Sequence, residues 1–249
     1  MTPVLITIPF SHFCEKARWA LNHAGVAFVE RGHAPLLHVP AVKRVGGQRS
    51  VPTLQTEEGT LCDSTDILAW ADARASAERK LLPTDPALRD EVLALEDDFD
   101  RRLGVASRHV FYSITLKDLK RVRKVVREGI PGFERFILPA LMPVAARVIR
   151  RVYRITPERT EKAYAKVRAT FDEVEARLAD GRPYLCGDRF TAADLTFAAL
   201  AAPTVAPPEY GVPLPEDDLP EGLRPWLDEC RARPAGQFAL RLYREHRHQ

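Results

Sequence analysis

Ser11 and Cys14 stand three residues apart, where an apolar run from Val4 to Ile8 passes through Pro9 and Phe10 into a helical pattern. A hydroxyl and a thiol at such a junction are the groups that thiol chemistry would use. The first turn of a helix offers unpaired N–H groups and the positive end of its dipole, and both stabilise an anion. Each residue also has a plainer reading. Ser11 can cap the helix through its hydroxyl, and Cys14, one turn inward, can be a small apolar residue of a packed helix. His12 between them is read as exposed. Two more junctions carry polar or special groups. Val51-Pro52 precedes a strand, which suits a residue that cannot donate to a ladder, and Asp63-Ser64 opens a helix, where both types commonly cap.

The elements that must position these residues follow from periodicity. Val4–Ile8 reads as a strand, and 13–24 as a helix that Gly25 stops, with Phe13, Ala17, Ala20, Leu21 and Ala24 on one face. Glu15, Lys16, Arg18 and Asn22 fall mostly on the other, outward face. Val26–Arg31 is a second strand. Residues 35–47 read as an irregular crossover, broken by Pro35, Pro40, Gly46 and Gly47, with His38, Lys43, Arg44 and Gln48 as solvated polar groups. Thr53–Thr56 and Thr60–Cys62 flank Glu57-Glu58-Gly59 as a hairpin, and a helix follows over 65–75. A βαβ start of this kind predicts a sheet covered by helices.

This β-α-β, crossover, β-β-α order, with its three junctions, resembles the thioredoxin-like N-terminal domain of the glutathione S-transferase superfamily over residues 3 to 78. The run Ser11-His12-Phe13-Cys14-Glu15-Lys16-Ala17-Arg18-Trp19 resembles the family's active-site turn and first helix. Val51-Pro52 resembles its cis-proline turn, and Asp63-Ser64 the acidic residue and serine that hold the γ-glutamyl end of glutathione. The resemblance implies an α/β thioredoxin-like domain over 1–78, a linker over 79–88 and an all-α domain over 89–249. It makes glutathione the co-substrate and Ser11 the donor to its thiolate, with Cys14 as second choice. Many family members carry a reactive cysteine at the position of Ser11, which makes Cys14 the second cysteine of such a pair. The resemblance also assigns the Val51 backbone to the cysteinyl part, Asp63 to the α-amine, Ser64 to its carboxylate, and Lys43 or Gln48 loosely to the other carboxylate. A small apolar electrophile as second substrate and a homodimer follow from the same source. A glutathione-dependent oxidoreductase, dehalogenase or isomerase, or a non-catalytic binding protein, remains an alternative on this scaffold.

The second half is helical in pattern. Leu88, Val92, Leu95, Phe99 and Leu103 define a helix over 87–105 that continues toward Arg127. Asp97, Asp98 and Asp100 read as a solvated face rather than as metal ligands, and Arg108 and Tyr112 as core or surface residues with the interdomain cleft as the sharper alternative. Lys117, Lys120, Arg121, Arg123, Lys124 and Arg127 form a basic cluster, and Arg147, Arg150, Arg151 and Arg154 a second one beside Leu141, Val144, Val148 and Val152. An amphipathic helix is the plain reading, and contact of 117–155 with anionic lipid the alternative. Pro139 and Pro143 punctuate the region and argue against one straight helix there. A further helix runs over 157–179. Phe190-Thr191-Ala192-Ala193-Asp194-Leu195 has the form of a capping box with a hydrophobic staple, so Asp194 serves folding and not chemistry. Pro203, Pro207, Pro208, Pro213 and Pro215 mark a rigid loop, and 244–249 a tail expected to fray.

Composition sets the outer limits. The chain has 249 residues, is 45% hydrophobic and 29% charged, and carries a net charge of +3, too small to imply nucleic-acid binding. No secretory leader and no apolar run of about 18 residues is seen. Four cysteines without a Cys-x-x-Cys pair suggest neither a zinc knuckle nor a disulfide framework, and a reducing cytoplasm is the simplest setting.

Overall fold

Strand β1 (Val4–Thr7) lies inside a four-stranded sheet of order β2-β1-β3-β4. It pairs in parallel with β2 (Val29–Gly32) and antiparallel with β3 (Thr53–Thr56), which turns back as a hairpin into β4 (Gly59–Leu61). Helix α1 (His12–His23) makes the parallel crossover, and α3 (Ser64–Arg74) packs against it. The computed structural model describes residues 1–212 and 219–248. Pro213, Pro215 and Gln249, assigned above to the proline-rich loop and the tail, lie outside the described residues.

The crossover is not wholly irregular. It contains a short helix, α2 (His38–Arg44). Pro40 falls in its first turn, where an N–H has no intrahelical acceptor and a proline costs nothing.

The remainder is helical: α4 (Pro86–Asp98), α5 (Val105–Thr115), α6 (Leu119–Val126), α7 (Gly132–Val152), α8 (Pro157–Leu178), α9 (Ala192–Val205), α10 (Arg224–Ala232) and α11 (Pro234–His246). A π-helical stretch, Phe99–Gly104, joins α4 to α5. The helix expected to run on toward Arg127 stops at Thr115, and Asp118 caps a new one by accepting from the Arg121 N–H at 3.1 Å. Helix α7, in contrast, continues through both of its prolines. Pro139 and Pro143 are exposed, so the carbonyls that lose an N–H partner face water.

Helix α9 is the centre of the main core. Every residue from Ala192 to Val205 except Pro203 is buried, and α1, α4, α5, α10 and α11 surround it. Its capping box is formed as the local pattern predicts. Asp194 accepts from the Thr191 N–H at 2.9 Å and the Thr191 hydroxyl at 2.7 Å, and its other oxygen takes the Leu185 N–H at 2.8 Å. A smaller core of Ala34, Val126, Ile130, Leu138 and Met142 joins the α6–α7 hairpin to the crossover segment. There the buried Glu134 of α7 accepts from the Ala34 N–H at 2.6 Å and pairs with His33 Nδ1 at 2.5 Å.

The polar face of α1 is buried, contrary to the amphipathic reading. Glu15 and Lys16 are 0% exposed and Arg18 is 6% exposed. Arg18 pairs with Glu15 and reaches Glu30 of β2 at 2.6 and 2.8 Å. Glu15 also receives Arg247 at 2.6 Å. The tail expected to fray is therefore anchored, with Arg247 only 3% exposed. Lys16 pairs with Glu96 of α4 and with Asp100 at 2.8 Å. Asp100 thus departs from the solvated face assigned to it, whereas Asp97 stays exposed. The strip reads as outward on one helix, but the helical half of the molecule covers it. Gly211 marks how closely: a Cβ there would meet a Glu15 carboxylate oxygen at 2.6 Å.

Among the described residues no helix is long and apolar enough to cross a membrane.

Candidate functional site

The sheet register brings the three junctions to one end. Ile6 pairs with Thr53 and Leu54 with Leu61. Extending those ladders sets Val51-Pro52 beside Ile8 and Thr7, three residues before Ser11, and Asp63 beside Pro52 on the other flank. The Val51-Pro52 peptide is cis, as the family resemblance implied. The Val51 backbone makes no hydrogen bond among the described residues. It offers one N–H and one C=O at the sheet end, as an extended peptide would require.

Ser11 occupies the N-cap position of α1 with extended backbone angles, but its hydroxyl does not cap. It lies near enough to the Cys14 thiol to oppose the rise in that group's pKa. The first-turn N–H groups of α1 are left without a side-chain cap, so the turn keeps its positive potential. Cys14 is 0% exposed. Burial pushes its thiol up to about 11, against the opposing hydrogen bonds from Ile8 and Ser11. A thiol of that kind is neither ionised nor accessible at neutral pH.

His12 is buried, not exposed. Its Nε2–H donates to the Gly104 carbonyl at 2.9 Å. Burial, aided by the charge of Arg108, holds its pKa down to about 3, so the ring is neutral. The π-helical stretch supplies this acceptor. Its Gly104 is also required by the close approach of Phe13, whose ring would meet a Cβ at 2.6 Å.

Asp63 is exposed and caps α3, its Oδ1 accepting from the Thr65 N–H at 2.8 Å. Ser64 beside it is buried. Thr65 donates to Asp100 at 2.9 Å and to Glu96 at 2.7 Å, which ties this corner to the Lys16 cluster. Burial raises the Asp100 carboxyl above its usual range despite the neighbouring Lys16. Lys43 in α2 and Gln48 after it are both exposed. Their side chains make no hydrogen bond or ion pair among the described residues.

Beside Ser11 lies a pocket walled by Phe10, Arg108, Phe111, Tyr112, Pro203 and Tyr210. Arg108 and Tyr112 do face the cleft. The Arg108 guanidinium sits 4.5 Å from the Tyr153 ring and 5.3 Å from that of Phe13, and its buried Nε has no partner. Tyr210 donates to the Phe10 carbonyl at 3.0 Å. Burial raises both phenols, Tyr112 and Tyr210, so neither ionises near neutral pH. A second cavity shares the walls Phe10, Phe111 and Tyr112 and extends between α6 and α7, where Val122, Val125, Met142 and Ile149 line it with apolar groups. Phe10, Phe111 and Tyr210 were not assigned to a site from the sequence, and Pro203, read there as the start of a rigid loop, lies instead in the last turn of α9. They come from four separate segments, with no shared spacing to signal them.

Models of the glutathione S-transferase N-terminal and C-terminal domains match residues 5–79 and 157–229. The chain belongs to the glutathione S-transferase superfamily. Among solved structures it is similar to the theta class glutathione S-transferase of the citrus canker pathogen Xanthomonas axonopodis pv. citri with glutathione bound. That match has 22% identity over 96% of this chain and 97% of that one, with a TM-score of 0.57. It is also similar to a β-etherase from Sphingobium sp. strain SYK-6, with 19% identity over 97% and 99% of the two chains and a TM-score of 0.61. No curated protein sequence matches. The α6–α7 hairpin lies between the two matched stretches.

Proposed function

We propose that the protein is a glutathione transferase that directs the glutathione thiolate onto a small apolar electrophile. The observation that carries this reading is the position of Ser11: at the uncapped first turn of α1, beside Val51-Pro52, and opening onto a pocket that continues into an apolar cavity. In this reading the Val51 N–H and C=O pair with the cysteinyl part of glutathione, Asp63 receives the α-ammonium and Ser64 the carboxylate beside it. Lys43 or Gln48 serves the glycyl carboxylate. The Ser11 hydroxyl turns from Cys14 to donate to the bound thiolate. That donor, together with the helix end, favours the anion over the thiol. The thiolate attacks the electrophilic carbon, the new C–S bond forms, and the leaving group or a protonated adduct departs. The apolar walls from α5, α6 and α7 exclude water and take the electrophile. The buried thiol of Cys14 argues against the oxidoreductase alternative, in which it would have to ionise and attack a disulfide sulfur. A homodimer in a reducing cytoplasm completes the reading.

Ser11→Ala tests it. Loss of one preorganised donor should lower kcat/KM for a chlorodinitrobenzene-type electrophile roughly a hundredfold or more, while calorimetry shows glutathione still bound. Absence of a heat of binding at millimolar glutathione, or activity that survives Ser11→Ala but vanishes in Cys14→Ala, would overturn it.

A further inference from the structure

Helix α7 carries its buried residues on one side only. Glu134, Leu138, Met142, Ala145 and Ala146 face inward. At 100° per residue, the opposite face is a single stripe of Phe133, Phe136, Ala140, Val144, Arg147 and Arg151. Phe133 is 72% exposed, Phe136 84% and Val144 55%. Two neighbouring phenylalanines held this far into solvent are unusual for a folded surface. The stripe changes character along its length, apolar in its first three turns and cationic in its last.

The charge around it is one-sided. Residues 117–155 contain eleven Lys and Arg against three Asp and Glu, a local excess of +8 in a chain whose total is +3. Of those three acids, Glu134 is buried against His33 and Ala34, and Asp118 caps α6 beside Arg121. Lys120, Arg123, Arg127, Arg147 and Arg151 have no carboxylate partner among the described residues.

We propose that the α6–α7 hairpin is a docking surface for the anionic headgroup layer of a lipid bilayer. Phe133 and Phe136 enter the interface between headgroups and acyl chains, while Arg147 and Arg151 hold lipid phosphates. An aromatic and aliphatic patch beside unpaired guanidinium groups is the chemistry that such an interface rewards on both counts. A second copy of the chain fits less well. A two-fold contact would set this +8 face against itself, with Glu128 as the one exposed acid of the segment not already engaged. With the Phe end apolar and the Arg end cationic, α7 lies obliquely in the interface, its first turns deepest. The inner side of the same hairpin walls the apolar cavity, so docking would bring that cavity near the membrane surface.

Flotation of the full chain with phosphatidylcholine vesicles, with and without phosphatidylglycerol, tests the proposal. Binding is expected only with phosphatidylglycerol and should weaken as salt rises. The double variants Phe133→Ser/Phe136→Ser and Arg147→Glu/Arg151→Glu should each lower the bound fraction roughly tenfold or more, since each basic side chain near an anionic surface contributes about 1 kcal/mol. Circular dichroism checks that both remain folded. As a second readout, Phe136→Trp should gain emission that brominated phosphatidylglycerol quenches. No flotation with anionic vesicles, equal flotation with neutral ones, or unchanged binding in both double variants would overturn the proposal. So would a sedimentation shift showing that Phe133 and Phe136 hold a second copy.

Discussion

Helices α1 and α7 depart from the usual division of apolar and charged residues in opposite directions. Helix α1 buries Glu15, Lys16 and Arg18 where a one-sided helix would show them to water. Helix α7 shows Phe133 and Phe136 to water where a one-sided helix would hide them. The difference lies in what each has for a neighbour. Helix α1 is enclosed, with α3, α9 and the sheet around it, and every charge it buries is met by an opposite charge from a distant segment. Helix α7 has a protein neighbour on one side only. A charge with a complete set of partners belongs to folding; an apolar group without one points outward to a partner from outside the chain.

The comparison can be broken most sharply at Glu15. Glu15→Ala leaves Arg247 buried without its carboxylate, and urea unfolding should show a loss of about 3–5 kcal/mol. A loss below about 1 kcal/mol would mean that α1 is solvated on that face after all. A smaller effect is expected at His12. Burial depresses its folded pKa from the ordinary histidine value of 6.5 to about 3, so its contribution is fully present above pH 6.5 and is lost as pH falls toward 3. Between pH 7 and 5 this single ring should account for about 2 kcal/mol of lost stability. In His12→Asn the urea midpoint should fall correspondingly less over that interval; an equal fall in both proteins would remove His12 from the account. The smallest effect belongs to α7. Phe136→Ser should change stability by no more than about 0.5 kcal/mol. A larger loss in thermal or urea unfolding would show that the phenylalanine packs within the fold and is not displayed by it.

How far the sequence could be read follows the same line. Features whose partners are local were legible: the Thr191–Asp194 capping box, the β3–β4 hairpin, the Asp63-Ser64 helix opening. The proline turn was legible through family resemblance, and the register then placed it beside the end of β1 that leads into Ser11. What could not be read depends on contacts between segments far apart. Helical periodicity marks Lys16 as outward because it carries no information about Glu96 or Asp100 on another helix. His12 looked exposed because its acceptor, Gly104, lies 92 residues away. The pocket walls Phe10, Phe111, Pro203 and Tyr210 share no spacing, so only the fold assembles them. The prolines of α7 lie on an exposed face, where water takes over the freed carbonyls, so the helix runs on through them.

The pairing of Arg247 with Glu15 also orders events in time. The two residues are separated by 232 positions. A ribosome adding about 5–20 residues per second reaches Arg247 roughly ten seconds or more after it has made Glu15. Throughout that interval the helix that carries Ser11 has a carboxylate whose full complement of partners does not yet exist. The proposed site therefore matures late: the sheet and its turns can form early in synthesis, but the helix that would activate the thiol is locked only when the far end of the chain arrives.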